Sequence, residues 1–355
     1  MSLNIFHICP FGPGFNIGNF LIQQAVRRMV KRKSPENINF ITVPATGYGA
    51  SSGLNKKVIY HINQVGDGVV VGGGNLFENG EIDIDINALQ ALRKPLLLFS
   101  NSYGRIYGSD LKLHRRTDAL QDSVLSSLIG FADVVLSRDL ATKSHIDNLI
   151  NHPRHNVSGC PSIFISNLAK EELERNKQKE LFGLIAVRNP EQMNVSLKES
   201  IRTHSLTSQI IELMSEVSGA PPKILCNDQR DIEYASSFNS EILYTSDVYE
   251  YFQILSHVNL SVSFRVHTSL PLWSIGCPAI NLSYDERSKS LIDTLKMSEY
   301  DIDIVQSGDR TFEKIHEKLD YVMNSEFSIP AYWQELQSIQ DAGIDKFFSL
   351  IKDNK

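Results

Sequence analysis

Residues 258–276 constrain the fold most, because the hydrophobic period changes once inside them. Val258, Leu260 and Val262 alternate with polar neighbours, which is the period of a strand. The spacing then becomes helical: Thr268 or Ser269 can cap a helix, Pro271 suits its first turn, and Gly276 with Pro278 stops it. Arg265 and His267 fall on the hinge. In an open α/β sheet, ligands bind where the carboxyl end of a strand meets a helix N-terminus. Free N–H groups and partial positive charge make that place suit an anion. Two residues apart on extended backbone, Arg265 and His267 point the same way and add a fixed cation and a proton donor. The plainer reading of the pair is a buried ion pair and a satisfied core histidine.

The same alternation recurs along the chain. Strands are expected near residues 5–9, 39–43, 69–71, 96–99, 132–136, 183–187, 223–226 and 279–283, with helical stretches between them. Such alternation implies an α/β fold with parallel sheets and right-handed crossovers. A length of 355 residues suits two domains. The charge-rich stretch 168–181 reads as a helical, solvated linker, dividing the chain into 1–167 and 168–329. A C-terminal helix over 330–355 is then free to pack back across both.

Several strands end in polar or glycine-rich loops, which should converge on one rim. They carry Asn16, Gly18 and Asn19, then Gly72, Gly73, Gly74 and Asn75, then Asn101 and Ser102 within 100–104, and Arg138. Three glycines in succession allow either a tight turn or a close ligand approach. Arg138 has Asp139 beside it, and a salt bridge alone would explain it. Arg188 and Asp228 repeat the strand-end pattern and, taken singly, read as structural.

Composition excludes several classes. Lys plus Arg is 35 and Asp plus Glu is 41, a net charge of −6, which argues against a general nucleic-acid binder. An anionic substrate therefore needs a local basic pocket. Cys9, Cys160, Cys226 and Cys277 show neither C-x-x-C spacing nor a disulfide framework, so free thiols are expected and a zinc site is not. The N-terminus reads as a first strand rather than a signal peptide, and no apolar run reaches membrane-spanning length. A cytoplasmic protein is expected.

Taken together, the motifs resemble the polysaccharide pyruvyltransferase family. They are Asn16 to Asn19 opening the first helix, Val71 to Phe77, Leu136 to Thr142, Ser158 to Pro161, and Phe264 to His267 followed by Gly276 to Asn281 and Tyr284 with Asp285. The resemblance implies two Rossmann-like domains facing a cleft, a GT-B-like architecture. It also implies transfer of the enolpyruvyl unit of phosphoenolpyruvate to two sugar hydroxyls, giving a cyclic pyruvate ketal and phosphate. Arg138 and Arg265 match the family's arginines, Arg287 stands where the family often has lysine, and His267 matches its proposed general acid/base. Two arginines can each take one anion of phosphoenolpyruvate. Asn16, Gly18, Asn19, Gly73, Gly74, Asn75, Asn101, Ser102 and Tyr284 are expected to line the substrate side. The acceptor would be a saccharide or a lipid-linked oligosaccharide at the inner membrane face. Phosphoenolpyruvate would serve as co-substrate, with no cofactor and no metal. Replacing Arg265 or His267 by alanine is expected to abolish transfer with the fold intact. The competing readings are a GT-B glycosyltransferase using a nucleotide sugar and a non-catalytic sugar-binding component on the same fold.

Overall fold

The protein, seen in a computed structural model, is described over residues 2–10, 16–168 and 181–354. Most of the expected linker, 169–180, and residues 11–15 of the first loop lie outside the described residues.

The first sheet is built from β1 (Ser2–Cys9), β2 (Asn37–Pro44), β3 (Gly68–Gly74), β4 (Leu96–Asn101), β5 (Val134–Ser137) and β6 (His155–Val157). All are parallel, in the order β2-β1-β3-β4-β5-β6. The second holds β7 (Phe182–Val187), β8 (Lys223–Cys226), β9 (Ile242–Tyr244), β10 (Val258–Ser263), β11 (Ala279–Ser283) and β12 (Asp301–Asp303). These are also parallel, in the order β9-β8-β7-β10-β11-β12. The α/β expectation holds, with two doubly wound sheets. Each order reverses once, between β1 and β3 and between β7 and β10. Crevices open at such switch points, outside the carboxyl ends of the strands.

The helices are α1 (Ile17–Lys33), α2 (Lys56–Val65), α3 (Asp122–Phe131), α4 (Leu140–Leu149), α5 (Leu197–Ser218), α6 (Val248–Leu255), α7 (Val266–Ser274), α8 (Glu286–Thr294), α9 (Thr311–Asn324) and α10 (Tyr332–Asp353), besides shorter turns. α5 starts at Leu197 because Ser196 caps it, accepting a hydrogen bond from the Glu199 N–H. Among the described residues no helix is long and apolar enough to cross a membrane.

Strand alternation sorts the core. On β3, Val69 and Val71 join Phe6, Ile8, Leu96 and Leu98 on one face, while Val70 joins Ile5, Leu97 and Phe99 on the other. That second core runs on without a break into the other half, through Phe164, Trp273 and α10. α10 starts on the second half, where Trp333 Nε1 donates to the Leu295 carbonyl at 3.0 Å. It then crosses to the first, where Gln340 Nε2 donates to the Ser158 carbonyl at 2.6 Å. Polar ties close the same seam: Ile17 N–H donates to the Asn227 carbonyl at 2.8 Å, and Ser290 Oγ to Asp139 at 2.9 Å.

Candidate functional site

A cleft of about 750 Å³ opens between the two switch points. Its size falls in the range of small-molecule sites. Asn16, Asn19, Asn75, Arg138, Arg265, His267, Tyr284 and Arg287 all line it, so most of the residues read from the sequence do meet.

The hinge after β10 differs in detail from the sequence expectation. α7 begins at Val266, Arg265 stands at its N-cap, and Pro271 lies inside the helix. Proline has no N–H, so the carbonyl four residues back loses its helical partner. That carbonyl belongs to His267, and the buried Tyr251 hydroxyl donates to it at 3.0 Å. The same hydroxyl meets Thr268 Oγ1, which donates to Asn227 Oδ1. Asn227 in turn receives the first N–H of α1. One network thus fixes the His267 backbone to the start of α1. Tyr251→Phe leaves the His267 carbonyl unpaired and is expected to cost about 1–3 kcal/mol of stability and to lower kcat. Urea titration and steady-state kinetics check this, and unchanged values would show that the network does not position His267.

Gly18 does not line the cleft but sits beneath His267, where a Cβ would lie 3.0 Å from both the Cβ and Nδ1 of the histidine. Only glycine allows so close an approach at this point. His267 Nε2 is buried and has no hydrogen-bond partner among the described residues. Burial, followed by the Arg138, Arg287 and Arg265 guanidiniums, pulls its pKa down to about 3. His267 is therefore neutral in the unliganded protein.

The arginines divide into paired and unpaired ones. Arg265 donates through Nε to the Val187 carbonyl at 3.0 Å and through Nη2 to Asp231, which is fully buried. So the plainer reading of Arg265, a buried ion pair, is correct, although the residue also lines the cleft. Arg287 is bound to Asp285 at 2.8 Å and lies 3.7 Å from Glu78; Arg230 is bound to Asp228 at 2.9 Å. Arg138 is different. It is only 3% exposed, its Nε has no hydrogen-bond partner among the described residues, and Asp139 stands 3.8 Å away. Asp139 is already engaged, accepting from Thr142 N–H and Oγ1 and from Ser290. The salt bridge that alone would explain Arg138 is therefore present as a 3.8 Å ion pair without a hydrogen bond.

Arg188, which the sequence presented as structural, belongs with Arg138. It follows β7 at the second switch point and lines the cleft. Its Nη2 donates to the Gln192 carbonyl, but its Nε is buried without a hydrogen-bond partner among the described residues. Burial and then the neighbouring Arg265 lower its pKa to about 10. Among the described residues, Arg138 and Arg188 thus each bring to the cleft lining a buried Nε that makes no hydrogen bond.

Besides Gly18, four expected residues do not reach the cleft. Gly73 and Gly74 pack on α1, a Cβ at Gly73 lying 2.6 Å from Ile22 Cγ2, and one at Gly72 would collide with the Phe99 carbonyl. Their role is close backbone packing rather than ligand approach. Asn101 and Ser102 turn under the floor, donating to the carbonyls of Val71 and Gly74. Ser100 has φ 55°, and this left-handed residue sends the loop below the rim. Beneath it lies fully buried Glu78, which accepts from Ser102 Oγ and Gly104 N–H; burial outweighs the nearby arginines and lifts its pKa to about 7.

His7 supports the floor. Its Nε2–H donates to the Gly72 carbonyl and its Nδ1 accepts from Arg27, so it too is neutral, with burial and then Arg27 holding its pKa at about 3. Both His7 and His267 titrate near 6.5 when unfolded and near 3 when folded. Between those values the unfolded forms of these two rings bind more protons, so their contribution to stability is full above pH 6.5 and is lost as pH drops towards 3, opposite in sign to that of Glu78. The urea midpoint is expected to follow that fall, less steeply in His267→Asn; an equal slope in both would contradict a neutral His267. A Ser137–His155–Asp147 chain has the connectivity of a hydrolytic triad, at 2.7 and 2.8 Å. It lies at the sheet edge away from the cleft lining, with Ser137 only 2% exposed, and it ties β6 in place.

Whole-chain likeness runs to UDP-GlcNAc 2-epimerases. The one from Methanocaldococcus jannaschii, solved with UDP-GlcNAc and UDP, matches with a TM-score of 0.61 at 12% identity over 99% of both chains. The Rickettsia bellii UDP-N-acetylglucosamine 2-epimerase matches at 0.57 and 10%, over 99% of this chain and 98% of that one. The Neisseria meningitidis one, bound to UDP-GlcNAc, matches at 0.55 and 12% over 99% and 98%. At these identities the likeness establishes the fold: two Rossmann-like halves in a GT-B-like architecture. No protein of curated function matches the chain in sequence. The polysaccharide pyruvyl transferase profile matches residues 16–286, a stretch that includes Arg138, Arg188, Arg265 and His267.

Proposed function

Since the chain belongs to the polysaccharide pyruvyl transferase family, we propose that it transfers the pyruvate unit of phosphoenolpyruvate to two hydroxyls of a sugar. The product is a cyclic ketal on a cell-surface glycan or its lipid-linked precursor. The observation that carries this reading is Arg138, whose buried Nε lacks a partner while its charge acts on neutral His267. Phosphoenolpyruvate brings two anions, and the cleft holds two guanidiniums, Arg138 and Arg188, whose buried Nε makes no hydrogen bond among the described residues. In this reading Arg138 takes one anion and Arg188 the other, at the N-terminus of α7. Arg265 and Arg287 shape the floor from their ion pairs.

Binding also sets the proton. Three arginines and burial keep His267 neutral, and the incoming negative charges offset those arginines. His267 then takes up a proton and can give it to the methylene carbon, making the ketal carbon electrophilic. A sugar needs hydroxyl-directed donors and acceptors, and Asn16, Asn19 and Asn75 supply amides along the other wall. A lipid-linked acceptor would place the reaction at the cytoplasmic membrane face through peripheral contact alone. The test is phosphate release from phosphoenolpyruvate with sugar acceptors, read together with the product mass of the ketal. Release by the wild type and none by Arg138→Ala supports the proposal; equal release by both removes Arg138 from the site.

A further inference from the structure

Ketal formation has a proton balance that one histidine does not close. Two acceptor hydroxyls each lose a proton. One proton ends on the methyl group, and the other leaves on phosphate. His267 can give the methylene its proton and recover one from the second hydroxyl. The first attack, and the departure of phosphate that follows it, need a separate carrier.

The loop after β3 supplies a candidate. It is held in two successive turns, with Glu78 N–H donating to the Asn75 carbonyl and Glu81 N–H to the Glu78 carbonyl. Gly80 N–H donates to the Asp118 carbonyl, and Asp118 is itself fixed by Arg116. This presents Asn75, Asn79 and Glu81 to the cleft, beside Thr46 and Tyr48 from the loop after β2. Among the described residues the Glu81 carboxylate has no hydrogen-bond or ion-pair partner. The charge acting on it most strongly is Arg230, which comes from the opposite half, so Glu81 faces across the cleft. Arg287 acts on both Glu81 and His267.

We propose that Glu81 is the second proton carrier of this site. It accepts the proton of the sugar hydroxyl that attacks first, within a wall of Thr46, Tyr48, Asn75 and Asn79 suited to a neutral, hydroxyl-rich sugar. This role rests on the phosphoenolpyruvate reading above. The steps balance as follows. His267 gives its proton to the methylene carbon; the first hydroxyl adds to the ketal carbon and its proton passes to Glu81. The bond from carbon to phosphate oxygen breaks, and Glu81 returns that proton to the departing phosphate. The second hydroxyl closes the ring and its proton restores His267. Partial burial raises the Glu81 pKa, which makes it a better base in the first step and lets it hold the proton until phosphate departs. The other carboxylates do not fit: Glu78 is fully buried with both oxygens occupied, Asp285 is bound by Arg287, and Glu191 is exposed.

The test compares wild type, Glu81→Gln and Glu81→Asp, with phosphoenolpyruvate and nitrophenyl glycosides of neutral hexoses, over about pH 5–9. Calorimetry gives phosphoenolpyruvate affinity, and mass spectrometry gives the ketal. Glu81→Gln is expected to bind phosphoenolpyruvate within about twofold of wild type and to lose kcat by about 100-fold or more. The low-pH fall in kcat should vanish with it, and Glu81→Asp should recover part of the rate. A Glu81→Gln rate within about threefold of wild type, with the low-pH fall retained, overturns the role of Glu81 and leaves the reaction standing. No phosphoenolpyruvate binding and no transfer by the wild type overturns the reaction and this role with it.

Discussion

His267→Ala is expected to lower ketal formation by about 10²–10⁴-fold while phosphoenolpyruvate binding stays within a few-fold of wild type. The prediction follows from the state of the ring. Its Nε2 is buried without a partner, so no structural hydrogen bond is lost when it goes. Its charge is suppressed until an anion arrives, so the free enzyme gains nothing from it as a cation. What disappears is the proton delivered to the methylene carbon. Steady-state rates and calorimetry on the same variant separate chemistry from binding. A variant that turns over near the wild-type rate would remove His267 from the mechanism.

Arg265→Ala is expected to destabilise the fold by about 3–5 kcal/mol, because it leaves Asp231 charged, fully buried and without its cation. Here the structure changes the sequence-based expectation that Arg265 can be removed with the fold intact. Arg138 gives the contrast. Asp139, the buried carboxylate 3.8 Å from Arg138, keeps its Thr142 and Ser290 hydrogen bonds without it, so Arg138→Met should cost less stability than Arg265→Ala while losing phosphoenolpyruvate affinity. The double variant Arg265→Ala/Asp231→Ala should recover part of the lost stability. If Arg265→Ala unfolded at the wild-type midpoint, the ion pair would not be holding β10 to the end of β7.

The difference between these two arginines was not legible in the sequence. Both follow a strand, and both have an acidic residue within reach. Asp139 is adjacent to Arg138 but spends its oxygens capping α4 and holding Ser290, whereas Asp231 lies 34 positions from Arg265 and closes on it through the fold. Sequence spacing found the hinge at Arg265 and His267 because a change of hydrophobic period is a local signal. It could not give strand order, and strand order is what brings Arg188 and His267 to one switch point. For the same reason the loop carrying Asn101 and Ser102 looked equivalent to the loop carrying Asn75. The left-handed residue at Ser100, which sends the first below the floor, has no side-chain signature. Glu81 follows a pair of turns rather than a strand end, so no periodicity marked it. β9 and β12 have three residues each, too short for an alternation to register.

The sequence leaves a GT-B glycosyltransferase using a nucleotide sugar as the competing reading of the cleft. The deciding measurement is a calorimetric titration of the wild-type protein with phosphoenolpyruvate and, separately, with UDP-GlcNAc, each in two buffers of different ionisation enthalpy. Saturable binding of phosphoenolpyruvate with net proton uptake is expected, with loss of that uptake in His267→Ala. Binding of UDP-GlcNAc with no heat from phosphoenolpyruvate would contradict it.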